Sequence, residues 1–227
     1  MKKRIILTAI ALALIAATIA GGSLAANKAE TIAPLEAPLA SSVLKVSIAD
    51  KAEAQPMMLY SEAVLPGDSL LAEGAGAVSI TNSGSLAEYG RVTITKYWAT
   101  KDADGKLVKN TALDASQIQV TFNTANGEWL QAPQPLAGSG EQEVWYHSEP
   151  LAVGATTSAL IQNIEIPKNL GGTDSEYAGS CIVVEVVADG VQFAGASQSK
   201  LNASGILASW GVAATLDASG NITSVSY

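Results

Sequence analysis

Short stretches with apolar residues at every second position recur along most of the chain, and this period of two constrains the fold more than any other feature. Alternation is typical of a half-buried strand, because successive side chains in a strand point to opposite faces. The first run to share a face is Leu44, Val46 and Ile48. Later runs are Val78/Ile80, Val92/Ile94/Trp98, Ile118/Val120/Phe122, Leu160/Ile164/Ile166, Ile182/Val184/Val186, Val212/Ala214/Leu216 and Thr223/Val225/Tyr227.

Turn-forming residues separate these runs. Pro66-Gly67-Asp68, Asn82-Ser83-Gly84 and Asp104-Gly105 are examples, and Gly and Asn recur at the later boundaries. Only Ser197 to Trp210 shows a helical spacing, with Leu201, Ile206, Leu207 and Trp210 on one side. The pattern therefore predicts an all-β fold over residues 42–227, an antiparallel β-sandwich with at most one or two short helices.

The amino terminus has the organisation of a secretory signal peptide. Lys2, Lys3 and Arg4 precede an apolar run from Ile5 to Ala20, which is followed by small residues. We predict a signal peptide over residues 1–25, cleaved after Ala25 or Ala26; the alternative is a retained amino-terminal anchor. Cleavage leads to a secreted, extracellular protein with no membrane segment.

The net charge and the cysteine content limit which binding partners and covalent links this chain can have. Cleavage would remove three positive charges and take the net charge from −8 to −11. So acidic a chain is a poor ligand for nucleic acid, whose phosphates favour basic surfaces. Cys181 is the only cysteine, so no disulfide can form within the chain. It is either a small buried thiol or a thiol that links two subunits.

Three segments of the chain carry a resemblance to a known family. The first runs from Leu65-Pro66-Gly67-Asp68 through the strand and turn at Val78 to Ala87. The second is Glu176-Tyr177-Ala178-Gly179-Ser180-Cys181-Ile182, and the third is Gln192 to Trp210. Together they resemble the TasA/camelysin family of secreted biofilm-matrix and surface proteins. The resemblance covers most of residues 43–216. One departure is Ala26 to Glu30, where family members often carry an aromatic residue and an acid.

The resemblance implies a jelly-roll sandwich and a structural role at the cell surface or in the biofilm matrix. Family subunits polymerise when the amino-terminal segment of one completes the sheet of the next, which implies that the partners here are further copies of this chain or related matrix subunits. The candidate donor lies in the arm, residues 26–41. Its candidate residues are Glu30, Thr31, Ile32, Ala33, Leu35 and Leu39. Pro34 and Pro38 fit only where their missing N–H faces away from the acceptor strand.

Residue patterns for catalysis and metal binding are weak, so we predict no enzyme, no cofactor and no metal site. His147 is the only histidine, and no Gly-x-Ser-x-Gly motif accompanies it. Asp102-Ala103-Asp104-Gly105 begins like a calcium loop but lacks the closing Glu, which favours a solvated hairpin turn. Four tryptophans could form a carbohydrate platform or fill the core. A monomeric adhesin or glycan-binding module therefore stays open as an alternative function.

Overall fold

The computed structural model describes residues 44–48, 51–52, 57–60, 67, 69, 77–133, 140–170 and 175–227. These residues form thirteen strands, one α-helix and three short 3-10 helices. The strands are β1 (Leu44–Ile48), β2 (Lys51–Ala52), β3 (Met57–Tyr60), β4 (Ser79–Asn82), β5 (Glu88–Lys101), β6 (Leu107–Lys109), β7 (Gln119–Phe122), β8 (Trp129–Gln131), β9 (Gln142–His147), β10 (Ile161–Glu165), β11 (Cys181–Gln192), β12 (Ala213–Leu216) and β13 (Ile222–Ser226). The helix is α1 (Ser199–Trp210).

Two antiparallel layers form a β-sandwich, as the sequence predicts. The first, called the long sheet, has the order β3-β11-β5-β9-β8, with β6 beside the far end of β5. The second, called the short sheet, joins β2-β1-β4 to β10-β7 through backbone bonds such as those between Ala77 and Ile161. The all-β sandwich with one short helix is thus confirmed, whereas the jelly-roll arrangement stays a prediction.

The apolar faces of both sheets meet in one cluster, called the inner core. Many of its members come from the strands that show a period of two in the sequence, and Trp129 and Trp145 come from β8 and β9. Its members include Ile80, Ile94, Trp98, Ile161, Ile164, Ile182, Val184 and Val186. Val78 shares this core but lies just before β4 in a left-handed conformation, with φ of 67°. The alternation of Val78 and Ile80 therefore does not reflect one regular strand.

A second cluster, called the outer core, lies on the opposite face of the long sheet. There α1 and the β12–β13 hairpin, together called the C-terminal cap, cover part of that face. The helix is confirmed, and of the four residues predicted to share its buried side, Ile206 and Trp210 are buried whereas Leu201 and Leu207 are not. Leu201 and Leu207 are 37% and 52% exposed, while Asn202 is 1% exposed. The reason is that the Asn202 side chain bonds the backbone N–H of Ala194 and the carbonyl of Gly195, which turns that face inward.

Strand β13 also differs from its sequence pattern, which predicts that Thr223, Val225 and Tyr227 share one face. Ile222 is buried and Val225 packs against the outer core, whereas Thr223 and Tyr227 are exposed. A register shift between Thr215 and Leu216 in the hairpin breaks the strict alternation. An irregularity of this kind is not visible in a simple period-two count.

Candidate functional site

Strand β7 is an edge of the short sheet, and its outer backbone groups are open. Its only strand partner in the described residues is β10. The N–H of Asn123 donates to Leu160, so the odd-numbered residues of this segment face β10. Because backbone direction alternates along a strand, Val120 and Phe122 direct their N–H and C=O groups away from the sheet. No described residue bonds to these outward groups.

Strand β8 is the corresponding edge of the long sheet. Ala132 donates to Val144, and Ser148 donates to the carbonyl of Glu128, so the even-numbered residues face β9. Trp129 and Gln131 therefore direct their backbone groups outward, as Val120 and Phe122 do on β7.

The two edges lie on the same side of the sandwich, which we call the open side. The Phe122 ring on β7 lies 4.5 Å, centroid to centroid, from the ring of Trp145 on β9. Strand β9 is the immediate neighbour of β8, where Gln131 pairs with Trp145. The opposite side of the sandwich holds β1, β2 and β3, and β1 contacts β11 there. The arm precedes β1 in the chain, and its residues lie outside the described ranges.

Polar contacts fix the start of β7. Asp114 caps a 3-10 helix, Ala115–Gln117, by accepting from the Ser116 backbone N–H at 2.9 Å. The Ser116 hydroxyl, followed by its backbone N–H, lowers the pKa of Asp114. The indole N–H of Trp98 donates to the Asp114 carbonyl at 3.0 Å. These bonds tie the loop before β7 to the centre of the long sheet.

A buried lysine closes one end of the open side. Lys96 is 7% exposed and donates through Nζ to the Ile118 carbonyl at 2.8 Å. Its charge is matched by Glu143 Oε1 at 3.7 Å, and Gln131 donates to the other oxygen of Glu143. Because Lys96 occupies the outward carbonyl of Ile118, the open stretch of β7 is confined to Val120 and Phe122.

Among the described residues, the open side lacks the usual protection of a sheet edge. Natural proteins guard exposed edges with charged residues, prolines or covering segments, because an unpaired edge can pair with another chain. Strands β7 and β8 read Gln-Val-Thr-Phe and Trp-Leu-Gln, with no charge and no proline. Val120 and Phe122 also pack on the inner core and keep this edge apolar on its inner face. The arrangement can accept an added strand through backbone hydrogen bonds.

The described residues with metal-binding potential do not group into a centre, and His147 and Asp102 make local contacts instead. His147 is 5% exposed, its Nδ1 lies 2.7 Å from the Glu149 carbonyl, and its ring meets the edge of Trp129. Asp102 Oδ1 accepts from the N–H groups of Asp104 and Lys106, as expected for the predicted hairpin turn. Within the described ranges, no three His, Cys, Asp or Glu residues group as metal ligands.

The four tryptophans are core residues. Trp98, Trp129, Trp145 and Trp210 are between 2% and 7% exposed. This confirms the packing role that the sequence left as one of two alternatives. None of the four offers an exposed ring face on which a sugar could stack.

Cys181 is a buried free thiol, 3% exposed, at the start of β11. In this conformation its sulfur lies inside the protein, where a second subunit does not reach it. The cleavage residues Ala25 and Ala26 and the donor residues Glu30, Thr31, Ile32, Ala33, Leu35 and Leu39 lie outside the described residues.

The fold and its open side define a class: an antiparallel β-sandwich with unpaired, uncharged edges. The chain matches no protein-family model, no curated protein and no solved structure. In the described part of the chain, no helix is long and apolar enough to span a membrane.

Proposed function

We propose that this protein is a secreted structural protein of the bacterial surface or biofilm matrix, a subunit of extracellular filaments joined by β-augmentation. The observation that carries the proposal is the open side, where β7 and β8 present unpaired backbone groups without charge or proline. An extended segment that pairs with such an edge gains backbone hydrogen bonds along its length. The signal-peptide pattern and the family resemblance support the extracellular setting.

The position of the arm supports a contact between subunits. The arm precedes β1 in the chain, and β1 and β7 lie toward opposite edges of the short sheet. A donor on one side and an acceptor on the opposite side make a head-to-tail contact, and such a contact propagates instead of closing into a dimer.

Chain length argues against an arm that folds back onto its own β7. From β1 across β4, β10 and β7 to a strand added outside β7 are four strand spacings, or about 19 Å. A donor that ends at Leu39 is five residues from Leu44, the first residue of β1, and five residues span about 17 Å when fully extended. That length leaves no slack for the turn over the end of the sandwich, so a second copy of this chain, or a related matrix subunit, is the better acceptor.

Electron microscopy of two chains tests the proposal. The first chain starts at Ala26, and the second starts at Ser42 and lacks the arm. We expect filaments from the first chain and single particles from the second, with both chains showing the same β-rich circular dichroism. Single particles from both chains would contradict self-assembly, and filaments from both would contradict the role of the arm.

A further inference from the structure

We infer that the odd-numbered residues of the arm, Thr31, Ala33, Leu35, Ala37 and Leu39, face β7 of the acceptor and direct their side chains toward its inner core. The inference rests on the proposed function and deepens it, because it assigns which residues recognise the acceptor and which face solvent. It comes from the backbone directions of β7 and from the spacing of the arm's prolines.

The acceptor sets the first condition. Val120 and Phe122 have outward N–H and C=O groups, so a residue directly opposite either one must supply both an N–H and a C=O. All strand pairs in the described sheets are antiparallel. In an antiparallel pair, residues directly opposite each other project their side chains from the same face. Residues opposite Val120 and Phe122 therefore point toward the inner core.

The prolines of the arm set the second condition. Proline has no N–H, so Pro34 and Pro38 cannot occupy positions that donate to β7. Both are even-numbered, and alternation then assigns the donating positions to the odd-numbered residues.

The side chains of the arm agree independently with this assignment. The odd-numbered residues from 31 to 39 are Thr, Ala, Leu, Ala and Leu, none of them charged. The even-numbered residues from 30 to 38 include both glutamates and both prolines, and Ile32 is the one large apolar residue among them. One register therefore does two things. It places the glutamate side chains in solvent, and it places both prolines where no N–H has to donate to β7.

The inner face of the open side suits small and medium apolar groups. Phe122 and Val120 are half-buried there, and the Phe122 ring lies 4.5 Å from the ring of Trp145. Two adjacent odd-numbered positions between 33 and 39 always hold one alanine and one leucine. A shift of register by two residues therefore keeps one alanine and one leucine opposite Val120 and Phe122, in exchanged order. For that reason a single leucine substitution can be compensated by slippage, and the test must change both leucines.

The test compares double variants of the chain that starts at Ala26. L35D/L39D places two acids on the inferred inward face, and I32D/P38D places two acids on the outward face. We expect the first pair to raise the protein concentration needed for filaments by at least about tenfold, because burying a leucine contributes over 1.4 kcal/mol. The second pair should stay within about twofold of the parent chain, since its side chains face water.

A second comparison tests the backbone alone. A33P/A37P removes two inferred donor N–H groups, whereas I32P/E36P removes two that face away. We expect filaments from I32P/E36P and none from A33P/A37P, with thermal unfolding unchanged for both because the substitutions lie in the arm. Assembly of A33P/A37P equal to that of I32P/E36P would overturn the assignment, and so would loss of assembly by I32D/P38D but not by L35D/L39D. In either case, filaments of the parent chain would still support the proposed function. Failure of the parent chain to assemble would contradict both.

Discussion

The inner and outer cores of this protein use the same sheet in different ways. Inner-core residues such as Ile94, Ile161 and Ile182 are fully buried aliphatic side chains. The outer core adds specific hydrogen bonds: Tyr89 donates to the Gly220 carbonyl at 2.7 Å, and the Trp210 indole donates to Asp189. The inner core is thus mainly apolar, with the Trp98 bond to Asp114 at its margin, while in the outer core polar groups orient the C-terminal cap.

One cluster illustrates the polar character of the outer core. Arg91 donates twice to Asp189 Oδ2, at 3.0 Å from Nε and 2.8 Å from an Nη. Asp189 Oδ1 accepts from Trp210 at 2.5 Å, and the Arg91 guanidinium lies 5.4 Å from the Trp210 ring centroid. The last residue of α1 is thereby held to β5 and β11 by directional contacts.

The largest effect should come from the inner core. Ile182→Ala removes a fully buried side chain and should lower the free energy of unfolding by about 3 to 4 kcal/mol, because a cavity remains where the side chain packed. Val187→Ala on the same strand is the matched control, since Val187 is 41% exposed. Urea unfolding measures both. A loss at Val187 equal to the loss at Ile182 would show that burial does not determine the difference.

The inner core could be predicted from the sequence because its signal is local. Val92, Ile94 and Trp98 share a face by alternation, and the structure confirms that face. The outer core could not be predicted, because Arg91 and Asp189 are 98 residues apart and their contact depends on tertiary pairing. Asn202 reads as a solvent-facing helix residue until its backbone partners are known.

The open side, too, could be predicted from the sequence only in part. The uncharged alternating run from Gln117 to Phe122 was visible as a strand. Whether a strand lies at an edge depends on its neighbours in the sheet, and spacing along the chain does not give that order. The backbone direction of Val120 and Phe122 follows only from the pairing of β7 with β10.

The second-largest effect should come from Asn202, and it should destabilise the outer core while the inner core stays folded. Asn202→Ala leaves the part-buried N–H of Ala194 and carbonyl of Gly195 without their side-chain partner, which should destabilise the C-terminal cap by about 2 kcal/mol. Ser204→Ala, an exposed position on α1, is the control. Hydrogen exchange should quicken in α1 and β12 while β5 and β11 stay protected. Uniform loss of protection across both cores would show that they unfold as one unit.

A smaller effect should come from charge in the outer core. Asp189→Asn keeps an oxygen for Trp210 but removes the charge that pairs with Arg91, and should cost about 1 kcal/mol, since both side chains are partly exposed and screened by solvent. Glu141→Gln breaks the more exposed pair with Lys109 and should cost less than about 0.5 kcal/mol. Unfolding measured at low and high salt should show the difference shrinking as salt rises. A difference that does not respond to salt would point to packing instead of charge.

The smallest effect should come from Tyr97, on the part of the long sheet that the C-terminal cap leaves uncovered. Burial, followed by a hydrogen bond from its hydroxyl to Glu185, raises the pKa of Tyr97 from 10.0 to about 12. The folded state therefore favours the neutral phenol, so this contribution to stability is complete below pH 10 and is lost as the pH rises toward 12. In Tyr97→Phe, stability should fall less steeply across that window, as followed by urea unfolding at a series of pH values. An identical alkaline slope in the variant would mean that the loss arises elsewhere, with the outer-core Tyr89, whose pKa is also raised by burial, as the next residue to substitute.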